Sequence, residues 1–198
     1  MSEIEVTERS RVKRGRKKAS YDRTLVNSII DEAWVCNIGV SVDGQALVQP
    51  SSHWRVGDEL FVHGSVKNGL FQQVIKGQTA CITLCILDGL VFARSAYEHS
   101  VNFRSIVLFG KGRLVEEPTE KRAVLDALLD KYSAGRSQEA RPPTEKEMRV
   151  TAVFAFPIEE VSAKVSSGGP TDLPEDLELD IWSGVKPVSN VIGELIPD

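Results

Sequence analysis

Residues 88–110, DGLVFARSAYEHSVNFRSIVLFG, set Arg94, Ser95, Glu98, His99, Ser100, Asn102, Arg104 and Ser105 between two apolar runs. Residues 90–92 and 106–109 have the β-branched and aromatic content of buried strands, so a polar connection joins two core strands. That many polar groups need partners, because an unpaired buried donor or acceptor costs free energy. Water over a surface loop would supply them, and so would a bound polar ligand. A second group lies upstream: His63-Gly64-Ser65-Val66-Lys67-Asn68 follows Phe61-Val62 and precedes Leu70, Phe71, Val74 and Ile75 at helical spacing, with Gly77 closing the segment. A strand running through Gly and Ser into a helix offers free backbone N–H groups, a hydroxyl and, in Lys67, a full positive charge. Those features suit a phosphate monoester. The glycine spacing is not that of a Walker motif. Without such a ligand, Ser65 is an N-cap, Lys67 a surface charge and His63 a structural histidine. Ser95, His99 and Ser100 do not make a hydrolase triad, since no nucleophile elbow accompanies them.

The elements that must position these groups read as strands joined by tight turns. Asp22 caps a helix whose Leu25, Val26, Ile29, Ile30 and Ala33 form one apolar stripe. WVCNIGVS, the turn Asp43-Gly44 and QALVQP make a β-hairpin, with Pro50 ending its second strand. Gly57-Asp58 turns into the strand ELFVHG. TACITLCIL is the next strand, turning at Asp88-Gly89, and residues 104–115 form a long strand bent at Gly110 and Gly112. Pro118-Thr119 begins a helix whose Val124, Leu125, Leu128, Leu129 and Tyr132 face a core. Residues 150–158 are a last buried strand. About six strands with helices between them give a mainly β fold, an antiparallel barrel with peripheral helices. Residues 1–20 are expected as a flexible basic arm, with seven Lys or Arg in residues 9–18, and residues 21–198 as one domain including the C-terminal tail. Five acidic residues in 172–180 of that tail are expected to pair with the arm.

Composition narrows the classes. The 198 residues carry 41% hydrophobic and 26% charged side chains and a net charge of −4, the balance of a soluble globular chain with little call for nucleic acid. No apolar run is long enough to span a bilayer and the N-terminal segment lacks a signal-peptide core, so a cytoplasmic location is expected. Cys36, Cys81 and Cys85 sit in strand-like segments as small buried hydrophobes. Along an extended strand Cys81 and Cys85 would be about 13 Å apart, too far to clasp one metal, so no metal site is assigned.

The run DGLVFARSAYEHSVNFRSIVLFGKGRLV, with ELFVHGSVKN before it and SAKV and WSGVKP after it, resembles the pyridoxamine 5′-phosphate oxidase-related flavoproteins, including the 5-nitroimidazole reductase-like branch, over residues 11–187. The resemblance implies an FMN-binding split β-barrel that forms a homodimer with FMN at the subunit interface. It further implies that Ser65 and Lys67 hold the FMN phosphate, with His63, Gly64 and Asn68 lining the turn. Ser100, Asn102, Phe103, Arg104 and Ser105 approach the flavin, Arg104 as charge partner; Phe103 stands where many relatives carry Tyr. The backbone at Gln49 and Pro50 runs along the isoalloxazine ring, and Trp182 closes over the flavin or joins the core. Ser166 and Ser167 follow Lys164 where relatives often have Arg, so no phosphate contact is carried to them. The function implied is an FMN-dependent oxidoreductase that reduces a small planar acceptor, nitroaromatic or quinone-like, or oxidises a pyridoxamine-like amine. No catalytic residue is assigned. NAD(P)H would bind only transiently, because no GxGxxG is present. The C-terminal end lacks the Arg- and Trp-containing finish of the namesake enzyme. Two alternatives stand beside this: a haem-binding or haem-degrading split barrel using His53, His63 or His99, and a non-catalytic flavin storage or redox-sensing protein.

Overall fold

The computed structural model describes residues 3–197, so the outermost residues of the two expected ranges, 1, 2 and 198, lie outside the described residues. A short strand β1 (Ala19–Ser20) leads into helix α1 (Arg23–Glu32). Asp22 starts α1 as expected, its carboxylate accepting the Leu25 N–H at 2.8 Å, and Val26, Ile29 and Ile30 are buried. Strands β2 (Val35–Val42) and β3 (Gln45–Val56) form the expected hairpin. Asp43 and Gly44 both take positive φ, 49° and 78°, the turn whose twist matches its strands. Then come β4 (Glu59–Ser65), α2 (Gly69–Ile75), β5 (Thr79–Phe92), β6 (Ser100–Lys111) and β7 (Arg113–Leu114). Helices α3 (Pro118–Tyr132), α4 (Arg136–Glu139) and α5 (Glu145–Val150) precede β8 (Thr151–Pro157), β9 (Glu160–Ser166) and β10 (Gly184–Pro187).

Among the described residues these strands make one antiparallel sheet in the order β1-β9-β6-β5-β2-β3-β4-β8-β7, with β10 added to β5. It closes on itself because β6 runs on into β7, which pairs with β8. The split lies in β3: residues 45–52 pair with β2 and residues 53–56 with β4. The larger core gathers Ile38, Leu60, Val62, Ile82, Leu108 and Phe154 with the apolar faces of α1 and α2. A second core lies on the other face of β3, β4 and β8, where Trp54, Phe61 and Val153 meet Val124 and Leu128 of α3.

Several local expectations are corrected. Pro50 does not end a strand: it pairs with Asn37 in the half of β3 that has a neighbour on one side only, where a missing N–H costs no ladder bond. Asp88-Gly89 is a bulge inside β5, marked by a register shift between Leu87 and Gly89. Only Val124 and Leu128 of the α3 stripe are buried, while Leu125 and Leu129 are partly covered and Tyr132 is exposed. The strands β9 and β10 were not expected as separate elements. The basic arm is not free: Ile4 and Ser10 are buried, and Lys18 donates to the Ser166 hydroxyl at 2.8 Å. Arg9 pairs with Glu160 and lies 5.0 Å from the centre of the Phe109 ring. In the tail, Asp172 pairs with Arg94 at 2.6 Å, not with the arm.

Candidate functional site

The segment from β4 to α2 turns on Asn68. Its side-chain oxygen accepts the N–H groups of Leu70 and Phe71, at 2.9 and 3.2 Å, so the helix begins at Gly69 and Asn68, not Ser65, is its cap. The amide nitrogen of Asn68 donates to Gln49 Oε1 at 2.9 Å, which joins two candidate residues from β3 and the β4–α2 turn. Ser65 accepts the Lys67 N–H at 3.2 Å, and both side chains are exposed. The Lys67 ammonium has no carboxylate partner among the described residues, so a cation and a hydroxyl stand together at the surface. Gly64 is what lets α2 sit so close: a Cβ there would lie 2.4 Å from Phe71 Cε2.

The segment of β6 divides between faces. Asn102 donates to the Gly168 carbonyl at 2.9 Å. The Arg104 guanidinium binds Asp88 at 2.7 and 3.0 Å and pairs with Glu32 at the end of α1. These bonds raise the Arg104 pKa and hold the Glu32 carboxyl below its usual range. Its charge is therefore already balanced within the protein. Phe103 and Ser105 point the other way, since they lie opposite Leu87 and Cys85 of β5, and Ser105 also opposite Lys164 of β9. Ser100 is exposed. Trp182, 68% exposed, packs against Phe92, whose ring also meets His99. One protomer thus holds two separate groups, Gln49, Gly64, Ser65, Lys67 and Asn68 on one side of the sheet order and residues 100–105 with Trp182 on the other. No hydrogen bond among the described residues joins them. Between them, the register places Val35, Val48, Pro50, Cys85, Leu87 and Phe103 on one outward face, with Val35 55% and Val48 61% exposed.

The three histidines sit in unlike places. His53 is buried, its Nε2–H donating to the Ile30 carbonyl at 2.9 Å, and burial with the nearby Lys131 charge lowers its pKa to about 4. His99 is exposed, with Nδ1 3.0 Å from the Ser95 carbonyl. His63 lies edge-on to Trp54 with ring centres 5.6 Å apart, and its Nδ1 is buried without a hydrogen-bond partner. Burial lowers its pKa, favouring the neutral imidazole. It opens onto a cavity of about 440 Å³ between β4, α3 and α5, lined also by Leu125, Leu129, Tyr132, Arg141 and Met148. Nothing in the motifs pointed to this cavity. Its trace in the sequence is the apolar stripe of α3, wider than the two residues that the core covers. Among the described residues no group of three metal-binding side chains occurs, and no helix is long and apolar enough to cross a membrane.

Residues 22–165 match the pyridoxamine 5′-phosphate oxidase family. The flavocytochrome Anf3 of Azotobacter vinelandii is 36% identical, the similarity covering 97% of this chain and 89% of that one, with a TM-score of 0.92. A FAD and heme binding protein from Mycobacterium smegmatis is 34% identical over 91% of this chain and 89% of its own, with a TM-score of 0.87. A Bacteroides thetaiotaomicron protein named for 5-nitroimidazole antibiotic resistance shares the fold at 23% identity, covering 74% and 86% of the two chains, with a TM-score of 0.62. No curated protein matches the chain.

Proposed function

From its membership of the pyridoxamine 5′-phosphate oxidase family, a family of flavin-binding split barrels to which this chain belongs, we propose that the protein is a redox protein holding a flavin and a haem. The observation that carries this is likeness to a flavocytochrome at 36% identity over 97% of the chain. The flavin in this reading is FAD in place of the FMN that the resemblance implies, a choice supported by likeness to a mycobacterial FAD and heme binding protein. Bound together, the two groups supply electron acceptance at the flavin and single-electron transfer at the iron.

The chain's own residues bind and orient. The Ser65 hydroxyl and Lys67 ammonium take the flavin phosphate, and the Asn68–Gln49 hydrogen bond fixes the turn that presents them. The half of β3 with a free edge carries Gln49 and Pro50 along the ring system. Ser100, Asn102, Phe103, Ser105 and Trp182 come from the second copy of a homodimer, which is why one protomer does not bring the two groups together. The outward face bearing Val35 and Val48 is the surface that such a dimer covers. Arg104 holds the end of α1 to β5 and β6. With flavin bound, transiently held NAD(P)H would be its hydride donor, and a haem beside it would supply one-electron chemistry.

The visible spectrum of purified protein tests this, together with chromatography of the flavin released on heating. Two flavin bands, one intense haem band and released FAD are expected, with the flavin bleaching on addition of NADH or NADPH. A colourless protein that takes up neither flavin nor haemin would overturn the proposal. Flavin bands with no uptake of haemin would return the chain to a flavin oxidoreductase without haem.

A further inference from the structure

We propose that His63 is the iron ligand of the haem and that the macrocycle occupies the cavity between β4, α3 and α5. The assignment rests on the flavin–haem reading above and adds to it a place and a ligand. Iron in haem needs an axial donor with a free lone pair inside an apolar pocket. His53 fails on access: its Nδ1 is also unpartnered, but the ring is 1% exposed and its Nε2–H is committed to Ile30. His99 fails on enclosure, since it stands exposed on the loop before β6. His63 meets both needs. It is half-buried and lines the cavity; its Nδ1 is sealed against the protein, and Nε2, which makes no hydrogen bond among the described residues, is the nitrogen left for iron.

The walls fit the ligand as well as the nitrogen does. Leu125, Leu129, Tyr132 and Met148 present apolar and polarisable surface that the second core leaves uncovered. The volume of about 440 Å³ is in the range of small-molecule and cofactor sites. Arg141 is the cation at the rim for the haem propionates; it now pairs with Glu147 at 2.9 Å, and Asp126, the other carboxylate in the lining, pairs with Arg122. Alternation along β4 directs His63 toward α3 and Gly64 toward α2, so the haem ligand and the phosphate turn are consecutive stretches of one strand.

The test is a haemin titration of the flavin-loaded protein, read from the position and intensity of the Soret band, in wild type and in His63→Ala, His53→Gln, His99→Ala and Leu129→Trp. His63→Ala is expected to weaken haemin binding at least about tenfold, a loss that even the partners of a metal ligand can cause, and to regain a ligated spectrum with added imidazole. Leu129→Trp fills the cavity without touching the ligand; it should lose haemin and keep flavin. His99→Ala should titrate like wild type. An unchanged Soret band and affinity in His63→Ala would overturn the assignment, as would loss of the band in His99→Ala alone. If wild type takes up no haemin, the flavin–haem reading fails first and this assignment with it.

Discussion

Lys67 and Arg104 are both cations in candidate segments, yet their surroundings give them opposite parts. Lys67 is exposed and lacks a carboxylate partner among the described residues, whereas Arg104 already serves Glu32 and Asp88. Lys67→Ala should therefore weaken flavin binding about tenfold to a hundredfold, the scale of a charge-assisted hydrogen bond, with little change in melting temperature. Arg104→Ala should do the reverse, lowering the melting temperature by leaving two carboxylates facing each other. Flavin titration and thermal melts of both variants separate the two parts. Sequence showed both as cations but not their partners, because Glu32 lies 72 residues from Arg104 and only the fold brings it there. His53 gives a pH dependence. The unfolded chain protonates this ring below about pH 6.5, while the folded chain keeps it neutral down to about 4. Between those values the unfolded state binds the extra proton, so the contribution is complete above about 6.5, falls with falling pH and levels off near 4. The loss amounts to at most about 3 kcal/mol, from 1.36 kcal/mol per unit. Urea midpoints at pH 7 and pH 5 should show a drop in wild type that is smaller in His53→Gln.

At the scale of elements, the contact between β4 and α2 is the tightest in the candidate site. Gly64→Ala would press a methyl group into Phe71, which is 1% exposed and packed 5.0 Å from Phe154, so the ring has nowhere to move. A cost of about 1 to 3 kcal/mol follows from overpacking. Thermal melts should show it, and Phe71→Leu in the same chain should recover part of it. The legibility of the elements follows the same physics. The Asp43-Gly44 hairpin and the Asp22 cap were readable because each is fixed by local chemistry. Pro50 and Asp88-Gly89 were misread as breaks because the same residues that end strands are tolerated at a free edge and at a bulge. The strand EVSAKVS carries too few large apolar residues to announce itself, and it is held by pairing with β6. The turn from β4 into α2 was legible as a motif, but its helix cap was misplaced because Ser65 and Asn68 are equally good caps by composition. The cavity beside His63 was not legible, because it is a gap between elements distant in sequence.

Among the described residues, one face of the sheet is left unpartnered. Val48, 61% exposed, lies on that face, on the half of β3 with a free edge. Light scattering should give the mass of a dimer, and Val48→Asp should shift it toward the monomer with loss of bound flavin. A wild-type monomer that retains flavin would sink the proposed two-copy site. Inside the protomer the parts are joined differently. The Lys131 ammonium, on α3, donates to the carbonyls of Ala33 at 2.8 Å, His53 at 3.2 Å and Ile30 at 3.3 Å, and burial lowers its pKa. One side chain of the cavity-bearing helix thus closes the end of α1 and clasps β3. Peeling α3 from the barrel would take the Lys131 donor from all three carbonyls, leaving that of Ile30 with His53 alone. Local opening of the second core is thereby coupled to the first, and the two should open as one cooperative unit. In native-state hydrogen exchange, the slowest amides of α3 and of residues 53–56 should then share a single opening free energy.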